Sequence, residues 1–174
     1  RTMKKIGLLL LTVIFSTSIG FSQKYAYVDT EYILNNVPTY ESAQDQLNQL
    51  SIEWQKEIEE VFAEIDKMYK DFQAEKVLLT EEMKIKREDD IIKKEKAAKE
   101  LQKKYFGKSG ELYKKRQELI KPIQDDIFNA VKEIAEEGNY AVIFDTAGKG
   151  LSMLYTNPKY DKSDDVLEKM GYKN

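Results

Sequence analysis

Cysteine and histidine are both missing from the 174 residues, and glycine (8) and proline (3) are scarce. Without cysteine there is no disulfide framework, no thiol nucleophile and no thiolate metal site. A lipid anchor attached through cysteine is excluded for the same reason. Without histidine the commonest general base and the commonest metal ligand are gone. Any enzymatic chemistry would fall to carboxylates or lysine. Few glycines and prolines mean few breaks, so long uninterrupted elements are expected. What is plentiful is charge: 34% of residues are charged and 41% hydrophobic, slightly lean in apolar residues for a compact globule. The length suits about one domain.

The N-terminus reads as a targeting segment. Lys4 and Lys5 follow Met3, an apolar run extends from Ile6 to Phe15, and Gly20-Phe21-Ser22 is a small-x-small pattern. These features predict a secretory signal peptide over residues 1–22, cleaved after Ser22. Arg1 and Thr2 precede the methionine and read as upstream residues. A membrane anchor is the alternative, but a spanning helix needs about 20 apolar residues, and this run breaks at Ser16. Cleavage removes three basic side chains and takes the net charge from −3 to −6. An acidic chain argues against nucleic-acid binding, which needs a basic footprint.

Tyr25-Ala26-Tyr27-Val28 is a short run of β-formers and predicts strand one. Thr30 is expected to cap a short helix through Asn36, with Pro38 stopping it. From Tyr40 the period changes. Tyr40, Ala43, Leu47, Leu50, Trp54, Ile58, Val61, Ile65, Met68 and Phe72 recur at a mean step close to 3.6. A helix from Tyr40 to Leu78 would be about 58 Å long, which implies a projecting hairpin or coiled coil. Leu78-Leu79-Thr80-Glu81-Glu82 is the plausible turn, with Thr80 as N-cap and two glutamates favouring the positive helix end. A second helix is expected from Glu81 to about Glu137. Its seam is Ile91, Ala98, Leu101, Tyr105, Leu112, Leu119, Ile123, Ile127 and Ile134. Pro122 should kink it, and Gly107 and Gly110 should loosen it. Tyr140 to Phe144 predicts a strand buried on both faces, Ala147-Gly148-Lys149-Gly150 a turn, and Leu151 to Tyr155 a third strand. Ser163 is expected to cap a last helix from Asp164 to Met170.

The reading is therefore α+β and mostly α: a long antiparallel helical hairpin over residues 40–137, its tip near 78–82, projecting from a small β-containing body made of 23–39 and 138–174. Three short strands make a marginal core, so the strand region is expected to complete itself by oligomerisation. The candidate residues there are Tyr25, Tyr27, Val28, Val142, Ile143, Phe144, Leu154 and Tyr155.

Three features bear on function. A second apolar row lies one position beyond the seam: Phe62, Tyr69, Ile92, Phe106, Tyr113, Ile120 and Val131. A strict coiled coil does not need it. It serves either to thicken the bundle or to contact apolar partner segments, and the aromatic candidates for such contact are Phe62, Tyr69, Phe72, Tyr105, Phe106 and Tyr113. Charge is also segregated. Residues 40–75 carry three basic and ten acidic side chains, residues 76–121 fifteen basic and nine acidic. Solvated faces with cross-arm pairs would explain this, as would a basic tip that steers acidic partners or anionic lipid. Finally, the acidic doublets such as Glu59-Glu60 and Asp125-Asp126 point about 100° apart on a helix and do not converge. No phosphate loop or metal-ligand spacing occurs. No cofactor is implied, and the chain reads as a non-enzyme.

The order of these features resembles the Skp/OmpH family of periplasmic chaperones: signal peptide, Tyr-Val-Asp strand, long charged hairpin, strand ending in aspartate. Leu79-Thr80-Glu81-Glu82 looks like the family's tip. Lys121-Pro122-Ile123, Ala130-Val131-Lys132-Glu133-Ile134-Ala135 and Gly138 through Asp145 are similar to its most recognisable stretch, and Leu154-Tyr155 with Asp161 through Leu167 to its closing segment. The resemblance implies a periplasmic homotrimer whose hairpins surround a cavity and hold unfolded outer-membrane β-barrel proteins without ATP. The alternative from another class is a structural coiled-coil spacer or tether of the envelope. One departure stands out: the family's best-known members are strongly basic, whereas this chain has a pI of about 5.3.

Overall fold

The computed structural model describes residues 23–148, 150 and 153–172; the expected signal peptide, Lys149, Leu151 and Ser152 lie outside the described residues. Strand β1 (Lys24–Val28) turns Ala26 and Val28 inward and Tyr25 outward, as the two-residue period requires. Asp29 ends it and starts α1 (Thr30–Asn35). The cap differs from expectation. The Asp29 carboxylate accepts the Tyr32 N–H at 2.9 Å, while the Thr30 hydroxyl donates to Asp145 at 2.8 Å. Pro38 also takes a different part. Helix α1 has already ended at Asn35, and Pro38 opens the next helix, where its missing N–H costs nothing and its fixed φ suits the first turn.

Helix α2 (Pro38–Glu75) runs 38 residues without a break and passes into a 3₁₀ turn (Lys76–Leu78). Thr80 then caps α3 (Glu81–Phe106), accepting the Met83 N–H at 3.3 Å. The expected single second helix is instead three. Helix α3 ends at Gly107, α4 spans Glu111–Leu119, and α5 spans Lys121–Gly138. At Gly107 a Cβ would sit 2.4 Å from the Lys103 carbonyl oxygen, so the backbone passes where no side chain fits. At Pro122 the expected kink takes the form of a one-residue interruption: α4 stops at Leu119, Ile120 keeps a right-handed helical conformation (φ −96°, ψ −37°), and α5 restarts one residue before the proline, because its ring opposes the carbonyl four residues back. Asn139 terminates α5 in the left-handed conformation, φ 51° and ψ 43°.

Strand β2 (Tyr140–Asp145) pairs in parallel with β1, Tyr25 with Val142, Tyr27 with Phe144 and Val28 with Asp145. It is not buried on both faces, since Ala141 and Val142 are exposed. Nor is there a strand over the described part of Leu151 to Tyr155; Leu154 and Tyr155 stand in solvent. The place beside β1 opposite β2 is taken by Asp161 and Lys162. Tyr27 bridges to Asp161, and the Lys162 N–H donates to the Tyr27 carbonyl at 2.9 Å. Helix α6 (Ser163–Lys169) follows a 3₁₀ turn (Pro158–Tyr160). Ser163 is its first residue rather than its cap, and its buried hydroxyl donates to Asp161 at 2.6 Å and accepts the Asp29 N–H at 2.9 Å.

The core lies at this end. Val28, Ile33, Val37, Ala43 and Leu47 pack with Ile120, Ile123, Ile127, Ala130, Ile134, Val166 and Leu167. Beyond it, α2 and α3 continue as a two-helix antiparallel arm.

Candidate client-holding surface

The arm is zipped by its seam. Ile58, Ile65 and Phe72 of α2 are buried, as are Ile91, Ala98 and Tyr105 of α3. At the base of α3 the single tryptophan, Trp54, stacks on Tyr105 with ring centres 4.8 Å apart and meets Phe106 edge-on at 6.5 Å. The Tyr105 hydroxyl donates to Glu57 at 2.8 Å. Further out, the Tyr69 hydroxyl donates to Glu95 at 3.1 Å, Lys94 pairs with Glu64 at 2.7 Å, and Arg87 with Glu75 at 3.3 Å. Both phenols are held above their ordinary pKa, first by donating to a carboxylate, which disfavours the phenolate.

These contacts sort the expected contact residues. Phe72 and Tyr105 belong to the seam and are covered by the hairpin itself. Phe106 is half-buried against Trp54. Phe62 and Tyr69, each 41% exposed, and Tyr113 at 50% remain accessible. Of the rest of the second row, Ile120 is in the core, Val131 packs against it, and Ile92 is exposed. The two rows share one side of the arm. Phe62 and Tyr69 follow the seam residues Val61 and Met68 by one step, and Ile92 and Phe106 follow Ile91 and Tyr105. In two antiparallel right-handed helices whose seams face each other, one step past the seam turns toward the same flank on both. The Tyr69–Glu95 bond lies on that flank. An apolar strip with carboxylates and lysines around it results, open to solvent along the arm.

Sequence reasoning missed two exposed groups. Ile52 on α2 lies off the seam and carries no periodic signal. At the tip Val77 and Leu78 are 90% and 84% exposed, beside Met83 and Ile85; the expected seam stops at Phe72, and the 3₁₀ turn carries these two residues past the last packed layer. Lys76, Lys84, Lys86 and Arg87 lie nearby in sequence, with Glu75, Glu81, Glu82 and Glu88 among them; Lys84 pairs with Glu81 and Arg87 with Glu75.

The body carries the second surface. A cleft of about 780 Å³ runs beside β1, lined by Tyr25, Tyr27, Phe144, Tyr155 and Tyr160 with Lys24 and Lys159 at its rim. Tyr25 stacks on Phe144 at 6.4 Å. Of the expected oligomerisation residues, Tyr25, Val142, Leu154 and Tyr155 are exposed; Tyr27, Ile143 and Phe144 are half-buried; Val28 is inside the protomer's own core. Among the described residues the sheet has two strands only, so the outer edge of β2 has no strand beside it.

Among the described residues no group of three or more acidic side chains is placed to hold a metal ion, and no helix is long and apolar enough to cross a membrane.

Comparison with curated proteins gives no match. Among solved structures the fold is similar to that of an outer membrane chaperone (OmpH-like) from Caulobacter crescentus CB15, with a TM-score of 0.67 over 86% of this chain and 84% of that one, at 11% identity. At that identity the likeness concerns the fold. The family model for outer membrane protein (OmpH-like) matches residues 24–170, from the first residue of β1 to just past α6. The chain, a mostly helical protein with long helices and a small two-stranded sheet, belongs to the outer membrane protein (OmpH-like) family.

Proposed function

We propose that the protein is an ATP-independent periplasmic holdase. Three copies join through the open sheet edge and the tyrosine-lined cleft of the body, and three arms enclose a space in which an unfolded outer-membrane β-barrel protein is kept from aggregating. The observation that carries this reading is the apolar strip of Phe62, Tyr69 and Ile92, exposed along an arm whose seam is already closed, together with the exposed Tyr113 of α4. Such residues gain nothing for the protomer in water, and they suit many weak contacts with an extended apolar chain. Holding needs no reacting group, in keeping with a chain that has neither cysteine nor histidine. The exposed Val77-Leu78 tip with its lysines is suited to rest on anionic lipid during delivery.

The test is a dilution assay with residues 23–174. A urea-unfolded outer-membrane barrel is diluted without ATP, and light scattering is followed with and without the protein. Suppression near three chains per client is expected. Unchanged scattering at large excess, with helices intact by circular dichroism, would sink the holdase and favour a spacer or tether of the envelope, which needs the length of the arm but no client contact.

A further inference from the structure

The small sheet of the body has two unlike faces. One rests on the core through Val28 and Ile143. On the other the register sets Tyr25 beside Val142 and Tyr27 beside Phe144, because alternate residues of a strand share a face. Met153, Tyr155 and Tyr160 stand across the cleft of about 780 Å³ that this second face helps to line. Tyr25, Val142, Tyr155 and Tyr160 are exposed, an aromatic surface that a single copy leaves wet. The charge of the cleft is largely spoken for. Lys24 donates to the Gly138 carbonyl and Lys162 pairs with Asp165, so the aromatic wall rather than the rim selects what fills it.

The chain itself delivers an apolar segment to this place. Gln23, the residue before β1, is part of the cleft wall, and the Tyr25 hydroxyl donates to its side-chain carbonyl at 2.7 Å. Residues 1–22, which lie outside the described residues, therefore join the protein at the cleft. Their sequence carries no charge from Ile6 to Ser22, and its apolar run occupies residues 6–15. The seven residues 16–22 between that run and Gln23 span up to about 23 Å when extended, enough to turn back into a cleft that begins beside them. Lys4 and Lys5 sit beyond the far end of the run, where they stay in water and clear of Lys159 at the rim. Attachment also raises the local concentration of the run to the order of mM, far above that of a separate copy.

We infer that, while residues 1–22 remain attached, their apolar run lies in the tyrosine-lined cleft and keeps copies of the chain apart, so that removal of the segment opens the body for assembly. This rests on the oligomeric part of the reading above and on cleavage after Ser22. The same aromatic wall serves two occupants in turn, first the chain's own leader and then a neighbouring copy. Cleavage exchanges them because it abolishes the tether, and the released segment loses its advantage in concentration. The precursor is thereby held as single chains until it has been processed.

Three chains are compared by sedimentation: residues 23–174, residues 3–174, and residues 3–174 carrying Leu9→Asp and Ile14→Asp. An oligomer, a soluble monomer and an oligomer are expected, in that order. Occupancy of the cleft is read separately, which the absence of cysteine makes clean. Residues 3–174 carrying Phe15→Cys and Tyr155→Cys are treated with a short bismaleimide. A link within one chain is expected, and its loss when Leu9→Asp and Ile14→Asp are added. An oligomer from unaltered residues 3–174, or aggregates formed through their apolar run, overturns the proposal and leaves the oligomeric reading standing. A monomer from the chain with both aspartates, or no link within the chain, overturns it in the same way. The intact mass of the exported protein checks the cleavage, and an oligomer that still carries residues 1–22 is a further refutation. A monomer from residues 23–174 overturns the oligomeric reading and this inference with it.

Discussion

The two ends of the molecule are held by different physics. In the body, residues from the whole length of the chain converge: Val28, Ile33, Leu47, Ile134, Val166 and Leu167 share one cluster, and Ile33 and Val166 are fully enclosed. Polar groups are tied in with it, since Asp145 accepts from both the N–H and the hydroxyl of Thr30, and Ser163 joins Asp29 to Asp161. In the arm, burial is confined to one row per helix, and the rest of each surface is wet. The body therefore behaves as a cooperative unit, while the arm is a long zipper of nearly independent layers. Stability is placed at one end and adaptable surface at the other, which is the division the proposed holding role needs.

The comparison can be broken first by large-to-small changes. Leu167→Ala should cost about 3 kcal/mol and lower the melting temperature of the whole protein. Ile65→Ala in the arm should cost less, and it should appear as faster hydrogen exchange near residues 58–72 and 91–98 with the body unchanged. Equal global losses from both would show that arm and body melt as one.

Asp145→Ala should cost about 2 kcal/mol, because it leaves the Thr30 N–H and hydroxyl without their acceptor in a partly buried place. Thermal unfolding reads it, and retention of wild-type stability would remove that tie from the account of the body.

A smaller effect concerns pH. Tyr69 and Tyr105 are raised from the ordinary 10.0 by donating to Glu95 and Glu57. For a group raised in the folded state, the stabilisation is complete below the unfolded pKa and disappears as pH climbs through the folded value. The arm should therefore loosen above about pH 10, seen as a shift in Trp54 emission, and Tyr105→Phe should abolish most of that shift. An unaltered alkaline step in the Phe variant would place its origin elsewhere.

Smallest for stability, though not for function, is the exposed strip. Phe62→Ser, Ile92→Ser and Tyr113→Ser should each change stability by no more than about 0.5 kcal/mol. Combined, they should weaken suppression of client aggregation markedly. Full suppression by the triple variant would move the contact surface away from that flank.

Much of this division was legible in the sequence, and the reason is local. The seam of α2 announced itself because every position from Tyr40 to Phe72 repeats a helical step, and all ten are buried or half-buried. Thr80-Glu81-Glu82 marked the cap of α3 because the chemistry of a helix start is contained in three residues. What escaped depends on contacts distant in sequence. Leu151 to Tyr155 had the composition of a strand, but the edge of β1 went to Asp161 and Lys162, fixed there by the Tyr27 carbonyl and by Ser163. Thr30 looked like a cap because nothing nearby revealed that Asp145 would claim its hydroxyl. The second helix looked continuous because its apolar period survives the interruption at Gly107 and Gly110. Among the candidate contact residues, Phe72 and Tyr105 differ from Phe62 and Tyr69 only by one helical step, and that step decides between seam and solvent.

The parallel pairing of β1 with β2 dictates an order of events in making the protein. Lys24 meets Tyr140, and Val28 meets Asp145, so the first strand cannot find its neighbour until more than a hundred residues have followed it. Closing so long a loop as a floppy chain is slow. The hairpin shortens the search: its helices are built from near neighbours, and once α2 and α3 fold back on each other the two strands are delivered to the same end. The arm is thus the scaffold on which the body assembles, and a newly made chain would finish its limb before its trunk.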